Sequence, residues 1–159
     1  MTTCTKIDRS LSRTVLAVDV LQSVLEALDQ RNIPRALNHF ADDFAFNDYA
    51  LDLQFRDKEC LTKFFQKSFE LFPDTVMELA STFECRDYAI AEWKLTGAQS
   101  EPFGSRSYRF PIVLRGSTII QIEKGRIARW SDYYDKMTSR RGRLKAFLKS
   151  GSSTKKPQQ

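Results

Sequence analysis

The chain has 159 residues, of which 42% are hydrophobic and 28% are charged, and its formal net charge at pH 7 is +5. This length suits one domain, and the composition is that of a globular protein with a hydrophobic core. No apolar run approaches the roughly 20 residues that are needed to cross a bilayer, and the first 13 residues lack the pattern of a secretory signal. We therefore expect a cytoplasmic protein rather than a secreted or membrane-spanning one.

The positive charge is concentrated near the C-terminus. Residues 138–159 contain seven of the 25 basic residues and no acidic residue, so the rest of the chain carries 18 basic and 20 acidic groups. The composition of this segment is typical of a disordered tail, and contact with nucleic acid or an anionic membrane is the alternative. We predict a flexible N-terminus at 1–11, a single domain at 12–137 and a basic, partly disordered tail at 138–159.

The first half of the predicted domain begins with helical periodicity. Leu16, Val20, Val24 and Leu28 recur at helical intervals and predict an amphipathic helix, which ends at residues 32–34. The proline of that turn suits the first turn of a second, short helix at 35–40, which residues 41–43 close. Residues 44–48 are predicted to form a short strand.

A third helix is predicted from about Asp57 to the Pro73-Asp74 pair. Its apolar stripe is broad and aromatic, which is more typical of a hydrophobic core than of a cofactor site. The stripe consists of Leu61, Phe64, Phe65, Phe69 and Phe72.

From Thr75 the hydrophobic period changes to two, which predicts a run of strands. Turn signals separate them at residues 86–87, 97–104, 116 and 124–125, which gives strands at 76–85, 88–96, 106–115, 117–123 and 126–134. Short turns between neighbours imply antiparallel pairing, and Pro111 indicates a bulge or a free edge. Helices followed by strands predict an α+β fold with the helices packed on one face of a curved sheet.

The last predicted strand carries the most informative carboxyl group. Because side chains alternate across a strand, Trp130, Asp132 and Tyr134 share one face, and Ile127 belongs to the other. If the first face is concave, desolvation raises the pKa of Asp132 and favours an acid/base role. The alternation leaves open that Asp132 only makes a structural hydrogen bond to a neighbouring strand.

Two other strands bear on the same interior. In strand 88–96, Trp93 and Leu95 lie on the apolar face, opposite two charged residues. In strand 117–123, Thr118 and Ile120 alternate with Ile119, so both faces are fairly apolar. A second subunit covering the outer face would explain this pattern.

Four stretches of the sequence, in this order, resemble the nuclear transport factor 2-like superfamily, and within it the SnoaL-like polyketide cyclase and ester cyclase branch. They are Ala-Asp-Asp-Phe leading to Asn-Asp at 41–48, Phe-Glu-Leu-Phe-Pro-Asp at 69–74, Ala-Glu-Trp-Lys-Leu-Thr-Gly at 91–97 and Glu-Lys-Gly-Arg-Ile-Ala-Arg-Trp-Ser-Asp-Tyr-Tyr-Asp at 123–135. The resemblance covers roughly residues 12–137. It implies a cone, in which a curved antiparallel sheet wraps around the N-terminal helices and a pocket opens at one end.

The resemblance also implies functional positions. The final-strand aspartate of related cyclases and epoxide hydrolases matches Asp132, and the proton-shuttling aspartate of ketosteroid isomerases matches Asp48. Thr118 stands where the SnoaL cyclase pairs its aspartate with a histidine. We expect Asp132 and Asp48 to be catalytic, with Tyr134, Tyr108 or a protonated Asp48 as oxyanion donor. The residues expected to bind substrate are Phe46, Trp93, Leu95, Tyr108, Thr118, Ile120, Trp130 and Tyr134.

Two functional hypotheses follow. The first is a cofactor-independent acid/base enzyme, a cyclase or isomerase, that acts on a hydrophobic carbonyl-containing small molecule such as a polyketide or terpenoid. The second is a non-catalytic small-ligand-binding or accessory dimer of the same fold. A homodimer through the outer sheet face is expected in either case. One histidine and three widely spaced cysteines offer no metal-ligand pattern, so we expect neither a metal nor a cofactor.

Overall fold

The computed structural model describes residues 16–103 and 106–136. It contains three helices, α1 (Ala17–Asp29), α2 (Ile33–Leu37) and α3 (Lys58–Leu71), and a six-stranded sheet. The strands are β1 (Phe40–Asp48), β2 (Leu53–Phe55), β3 (Val76–Cys85), β4 (Tyr88–Phe103), β5 (Arg106–Glu123) and β6 (Arg126–Tyr134). The predicted termini at 1–11 and 138–159 lie outside the described residues.

The helices begin where the sequence supplies partners for their first N–H groups. The Asp57 carboxylate accepts from Cys60 N–H and caps α3, and the Asn32 side chain accepts from Arg35 N–H and caps α2. No local side chain caps α1, whose Ala17 N–H instead donates to Glu84 on β3 at 2.9 Å. This long-range bond fixes the start of α1 against the sheet. Among the described residues, no helix is long and apolar enough to span a membrane.

The sheet has the strand order β2-β1-β6-β5-β4-β3. It confirms the predicted α+β class with a curved sheet over the N-terminal helices. One pairing differs from the antiparallel prediction, because β1 runs parallel to β6 with Asp48 directly beside Asp132. All other neighbours are antiparallel.

Two predicted turns are wrong, because Gly97 and Gly116 both lie within long strands. A side chain at Gly97 would come within 2.8 Å of the Thr75 backbone, and its φ of 149° is in the region that favours glycine. Residues 41–43, predicted to close the second helix, belong to β1, whose register shifts between Phe40 and Ala45. Pro111 is paired with Ala98 of β4, and on the other side of β5 the described residues supply no strand there, since β6 pairs with β5 only from Gly116 onwards.

The core lies between the inner sheet face and the helices. Its largest fully buried side chains come from α1, α3 and the three strands β1, β5 and β6. Ile127 belongs to this core and not to the outer face that strict alternation predicts, because a bulge between Gln121 and Ile122 shifts the register of the β5–β6 pair.

Candidate active site

A cavity of about 370 Å³ opens between the inner sheet face, the end of α1 and α3. This volume is near the lower end of the range of small-molecule sites, about 300–1,000 Å³. Aromatic and aliphatic side chains make up most of its wall, including Phe46, Phe64, Phe65, Phe69, Phe72, Met77, Trp93, Leu95, Leu114 and Trp130.

Most of the predicted site residues meet in this cavity. Both predicted catalytic carboxyls line it, as do six of the residues expected to bind substrate, which are Phe46, Trp93, Leu95, Thr118, Trp130 and Tyr134. Two others are not in its wall. Ile120 is fully buried in the core, and Tyr108 is 44% exposed and stacks on Phe110 outside the cavity.

Asp132 is held from the β5 side by a short chain of donors. The Trp93 indole N–H donates to the Thr118 hydroxyl at 2.9 Å, and that hydroxyl donates to Asp132 Oδ1 at 2.5 Å. Thr118 can bridge the two because it is paired with Asp132 across the β5–β6 ladder. The Thr118 hydroxyl thus engages one of the two carboxyl oxygens of Asp132, Oδ1.

The surroundings of Asp132 shift its protonation into the neutral range. Burial against the apolar wall raises the pKa of Asp132 to about 7, and the neighbouring carboxyl of Asp48 adds to the increase. The Thr118 hydroxyl, which donates to Asp132, and the Trp130 N–H oppose this increase, since both favour the charged form. A carboxyl with this pKa exchanges protons readily near pH 7, as acid/base chemistry requires.

Asp48 lies on the adjacent strand and is only 3% exposed. Its Oδ1 accepts from Leu51 N–H at 2.9 Å and its Oδ2 accepts from the Tyr134 hydroxyl at 2.8 Å. Burial, and then the charge of Asp48, raise the pKa of Tyr134, so its hydroxyl stays protonated and donates. Tyr134, one of the three predicted oxyanion donors, therefore already uses its hydroxyl proton in a hydrogen bond to Asp48.

Gly116 makes room for two aromatic rings at this end of the sheet. It pairs with Trp93 on one side and Tyr134 on the other, and the two rings lie 5.8 Å apart. A Cβ at this position would come within 2.6 Å of the Trp93 ring and 2.7 Å of Tyr134 Cβ. Because the indole is bonded to Thr118, this glycine indirectly fixes the donor chain that ends at Asp132.

The loop between α3 and β3 forms part of the cavity wall. Arg31, just past α1, donates to the backbone carbonyls of Phe72 and Pro73 at 2.9 and 3.1 Å. Its guanidinium also lies over the Phe69 ring, 4.5 Å from the centroid. From β5, Arg109 forms an ion pair with Asp74. Two elements thus hold this loop, and both Phe72 and Thr75 line the cavity.

Sequence reasoning missed part of this wall. Four phenylalanines of the α3 region that were expected to form core also line the cavity, namely Phe64, Phe65, Phe69 and Phe72. The helical spacing identifies their shared face, but nothing in it distinguishes a packed face from one that borders a cavity. In the described part of the chain, no group of three metal-ligating side chains is found.

The fold is shared with solved structures of low sequence identity. IdmH, a candidate polyketide cyclase from Streptomyces antibioticus, has a TM-score of 0.70 at 17% identity over 80% of this chain and 98% of its own. A candidate SnoaL-like polyketide cyclase from Shewanella denitrificans has a TM-score of 0.70 at 16% identity, covering 81% and 97%. An LEH-like epoxide hydrolase from M. tuberculosis has a TM-score of 0.64 at 12% identity, covering 87% and 96%.

At the level of sequence, the SnoaL-like domain family matches residues 21–130. The chain therefore belongs to the SnoaL-like domain family, which confirms the resemblance. Among curated proteins, no sequence matches this chain.

Proposed function

We propose that this protein is a cofactor-independent acid/base enzyme of the cyclase or isomerase type, with Asp132 as the group that transfers the proton. The observation that carries the proposal is the position of the Asp132 carboxyl in the wall of an apolar cavity, where burial raises its pKa to about 7. A carboxyl in water has a pKa near 4, and burial makes Asp132 a stronger base, with a pKa closer to the operating pH.

The proposed first step is removal of a proton from the carbon α to a substrate carbonyl. The C–H bond breaks, the proton moves to the Asp132 carboxylate, and the electron pair forms the enolate. In an isomerisation, neutral Asp132 returns the proton to another carbon of the same conjugated system. In a cyclisation, the enolate carbon instead bonds to an electrophilic carbonyl carbon of the same molecule, and the resulting alkoxide takes the proton. Either route restores ionised Asp132 without a cofactor.

The cavity supports a hydrophobic substrate with few polar atoms. Its aromatic wall suits polyketide or terpenoid skeletons, and a volume of about 370 Å³ favours a compact, fused-ring molecule over a long chain. The polar groups at its wall include the adjacent carboxyls Asp48 and Asp132 and the Tyr134 hydroxyl. A carbonyl and its α-carbon would therefore be bound with the reacting end towards β1 and β6.

The proposal predicts a specific pH dependence of α-proton exchange. Bicyclic and tricyclic ketones deuterated α to the carbonyl should lose deuterium to water, as followed by proton NMR. Only the ionised form of Asp132 is a base, so the enzyme-dependent rate should fall about tenfold per pH unit below about 7 and level off above it.

The control for this assay is Asp43→Asn, which changes an exposed carboxyl on the same strand as Asp48. This variant should exchange deuterium at the wild-type rate. An enzyme-dependent rate that is flat between pH 5 and 9, or no enzyme-dependent exchange with any ketone that binds, would contradict the role of Asp132 as base.

One observation favours the second candidate, a small-ligand carrier. Tyr134 donates its only hydroxyl proton to Asp48, and both Asp48 oxygens already accept hydrogen bonds, so neither group offers an oxyanion donor as it stands. A carrier would bind the ketones without exchange or conversion at any pH. The exchange assay combined with a binding titration therefore separates the two candidates.

We also propose that the outer sheet face forms a homodimer interface. Phe83, Ile90 and Ile119 are in register across β3, β4 and β5, and Phe83 is 58% exposed. Next to this row, Tyr133 and Tyr49 stack at 4.8 Å on the same face, and both are exposed.

The dimer proposal predicts that Ile119→Arg shifts the protein to monomers. A charge in the middle of an apolar interface would be buried without a partner, at a cost of several kcal/mol. Sedimentation velocity of the wild type and the variant measures the effect, and Lys94→Ala at the half-buried, charged part of the outer face is the control. A monomeric wild type would contradict the proposal.

A further inference from the structure

Trp130 contains a buried donor without an acceptor. Its side chain is 2% exposed and stacks on Phe46, with the ring centroids 5.9 Å apart and the planes 10° from parallel. The indole Nε1 has no hydrogen-bond partner among the described residues. An unmade hydrogen bond at a buried N–H group is destabilising and uncommon in native proteins, so this donor calls for an explanation.

The two tryptophans of the chain differ in this respect. The Trp93 N–H is satisfied by Thr118 at 2.9 Å, and the chain of donors continues to Asp132. Trp130 lies two positions before Asp132 on β6, and both side chains line the same cavity. The Asp132 carboxyl is thus an acceptor group on the same strand and the same face as the Trp130 side chain.

A ligand atom is a less suitable acceptor for this donor. The Trp130 Nε1 atom exposes less than 1 Å² to solvent, so an oxygen atom in the cavity would reach it only after the side chain moved. The indole also affects Asp132 directly, since its N–H lowers the pKa of that carboxyl, against the larger effect of burial. The donor is therefore near the carboxyl but is not engaged in a regular hydrogen bond with it.

We propose that Trp130 is a positioning residue for Asp132. The Trp130 indole N–H gains the Asp132 carboxylate as its acceptor when Asp132 loses its proton. In the protonated state the N–H remains without a partner, and in the ionised state it forms a charge-assisted hydrogen bond. The unsatisfied donor thus offsets part of the cost of burying the charge. The inference rests on the proposed role of Asp132 in proton transfer, and its test requires no substrate.

Other charged groups line the same cavity, and their effects on the titration of Asp132 have to be distinguished from the effect of Trp130. Asp48, from β1, is the charged neighbour that raises the pKa of Asp132, and Tyr134 on β6 is bonded to Asp48. The described stretch of α3 contributes only uncharged side chains to the cavity wall. The remaining charged residues in that wall are Asp29, Arg31 and Lys136.

The test follows the two indole N–H resonances of the ¹⁵N-labelled full chain by NMR between pH 5 and 9. Because the chain has only two tryptophans, Trp93→Phe assigns both resonances. We expect the Trp130 proton to move downfield as pH rises through about 7, with the midpoint of the Asp132 carboxyl ¹³C titration. In Asp132→Asn the Trp130 resonance should not titrate, whereas in Asp48→Asn it should still do so, at a lower pH.

A second variant measures the size of the effect. Trp130→Phe keeps an aromatic ring beside Phe46 but removes the donor, and it should raise the midpoint of the Asp132 titration by about one pH unit. A Trp130 resonance that does not follow Asp132 in the wild type, or a midpoint that Trp130→Phe leaves unchanged, would overturn the inference. The first of these results does not depend on whether the variant folds. Neither result would exclude Asp132 as the base, which the deuterium exchange assay tests separately.

Discussion

Replacing Asp132 by Asn is expected to lower turnover by more than about a hundredfold, in the range of about 10²–10⁴ that a positioned acid/base group contributes. The amide has nearly the same size and can still accept from the Thr118 hydroxyl, so the donor chain from Trp93 stays in place. It cannot, however, take a proton from carbon at neutral pH. The measurement is of turnover, or of deuterium exchange where no turnover is known, together with ligand affinity. The affinity should change by less than about threefold.

Stability provides an internal control for this variant. Because the pKa of Asp132 is raised in the folded protein, the folded state holds a proton that the unfolded state releases between about pH 4 and 7. Wild-type stability should therefore fall as pH rises through this window, and Asp132→Asn should lose this part of the pH dependence. A variant that unfolds more easily than the wild type at pH 8 would make its loss of activity uninformative, and unchanged turnover in a stable variant would remove Asp132 from the mechanism.

Replacing Phe46 by Ala is expected to lower the free energy of unfolding by about 3–5 kcal/mol. Phe46 is 1% exposed, and its ring centroid lies within about 6 Å of the rings of Phe64, Phe65 and Trp130. Its removal takes away contacts from β6 and α3 at once, and the packed neighbours cannot all move into the space. Since domains of this size are stable by only about 5–15 kcal/mol, the loss is a large share of the total.

Chemical denaturation measures this effect, with Leu53→Ala on the exposed edge strand β2 as the matched control. Leu53 is paired with Asp48 but faces solvent, so its truncation should change stability by no more than about 0.5–1 kcal/mol. Equal effects of the two substitutions would show that Phe46 is not a central packing residue. The Phe46 variant should also bind larger ketones, because the ring it lacks forms part of the cavity wall.

The sequence carries strong local signals for part of this fold. The bounds of β3 and β6 were predictable because Pro73-Asp74, Arg86-Asp87 and Lys124-Gly125 punctuate the alternating pattern. The same rule fails at Gly97 and Gly116. Glycine is needed at these positions because a backbone or a ring from another segment lies too close for a side chain, and not because the chain turns there. Such close approaches involve residues that are distant in the chain, so no local pattern reports them.

The sequence predicts the arrangement of the site only in part. Alternation along β6 predicts that Asp132 shares a face with Trp130 and Tyr134, and all three line the cavity. The parallel pairing that puts Asp48 beside Asp132 joins segments more than 80 residues apart and has no local signature. The hydrogen bond from Tyr134 to Asp48 follows from that pairing, so the sequence identifies the two residues but not their contact.

The missing side chain at Gly116 restricts how this cavity could be altered for other ligands. The two rings above it occupy the space that any larger residue would need, and one of them supports the threonine that contacts Asp132. Changes on the sheet side would thus disturb proton transfer together with ligand fit. Phe69, on α3, lines the cavity and takes no part in the donor chain from Trp93 to Asp132, so diversification of ligand preference within this architecture should accumulate at such helical positions.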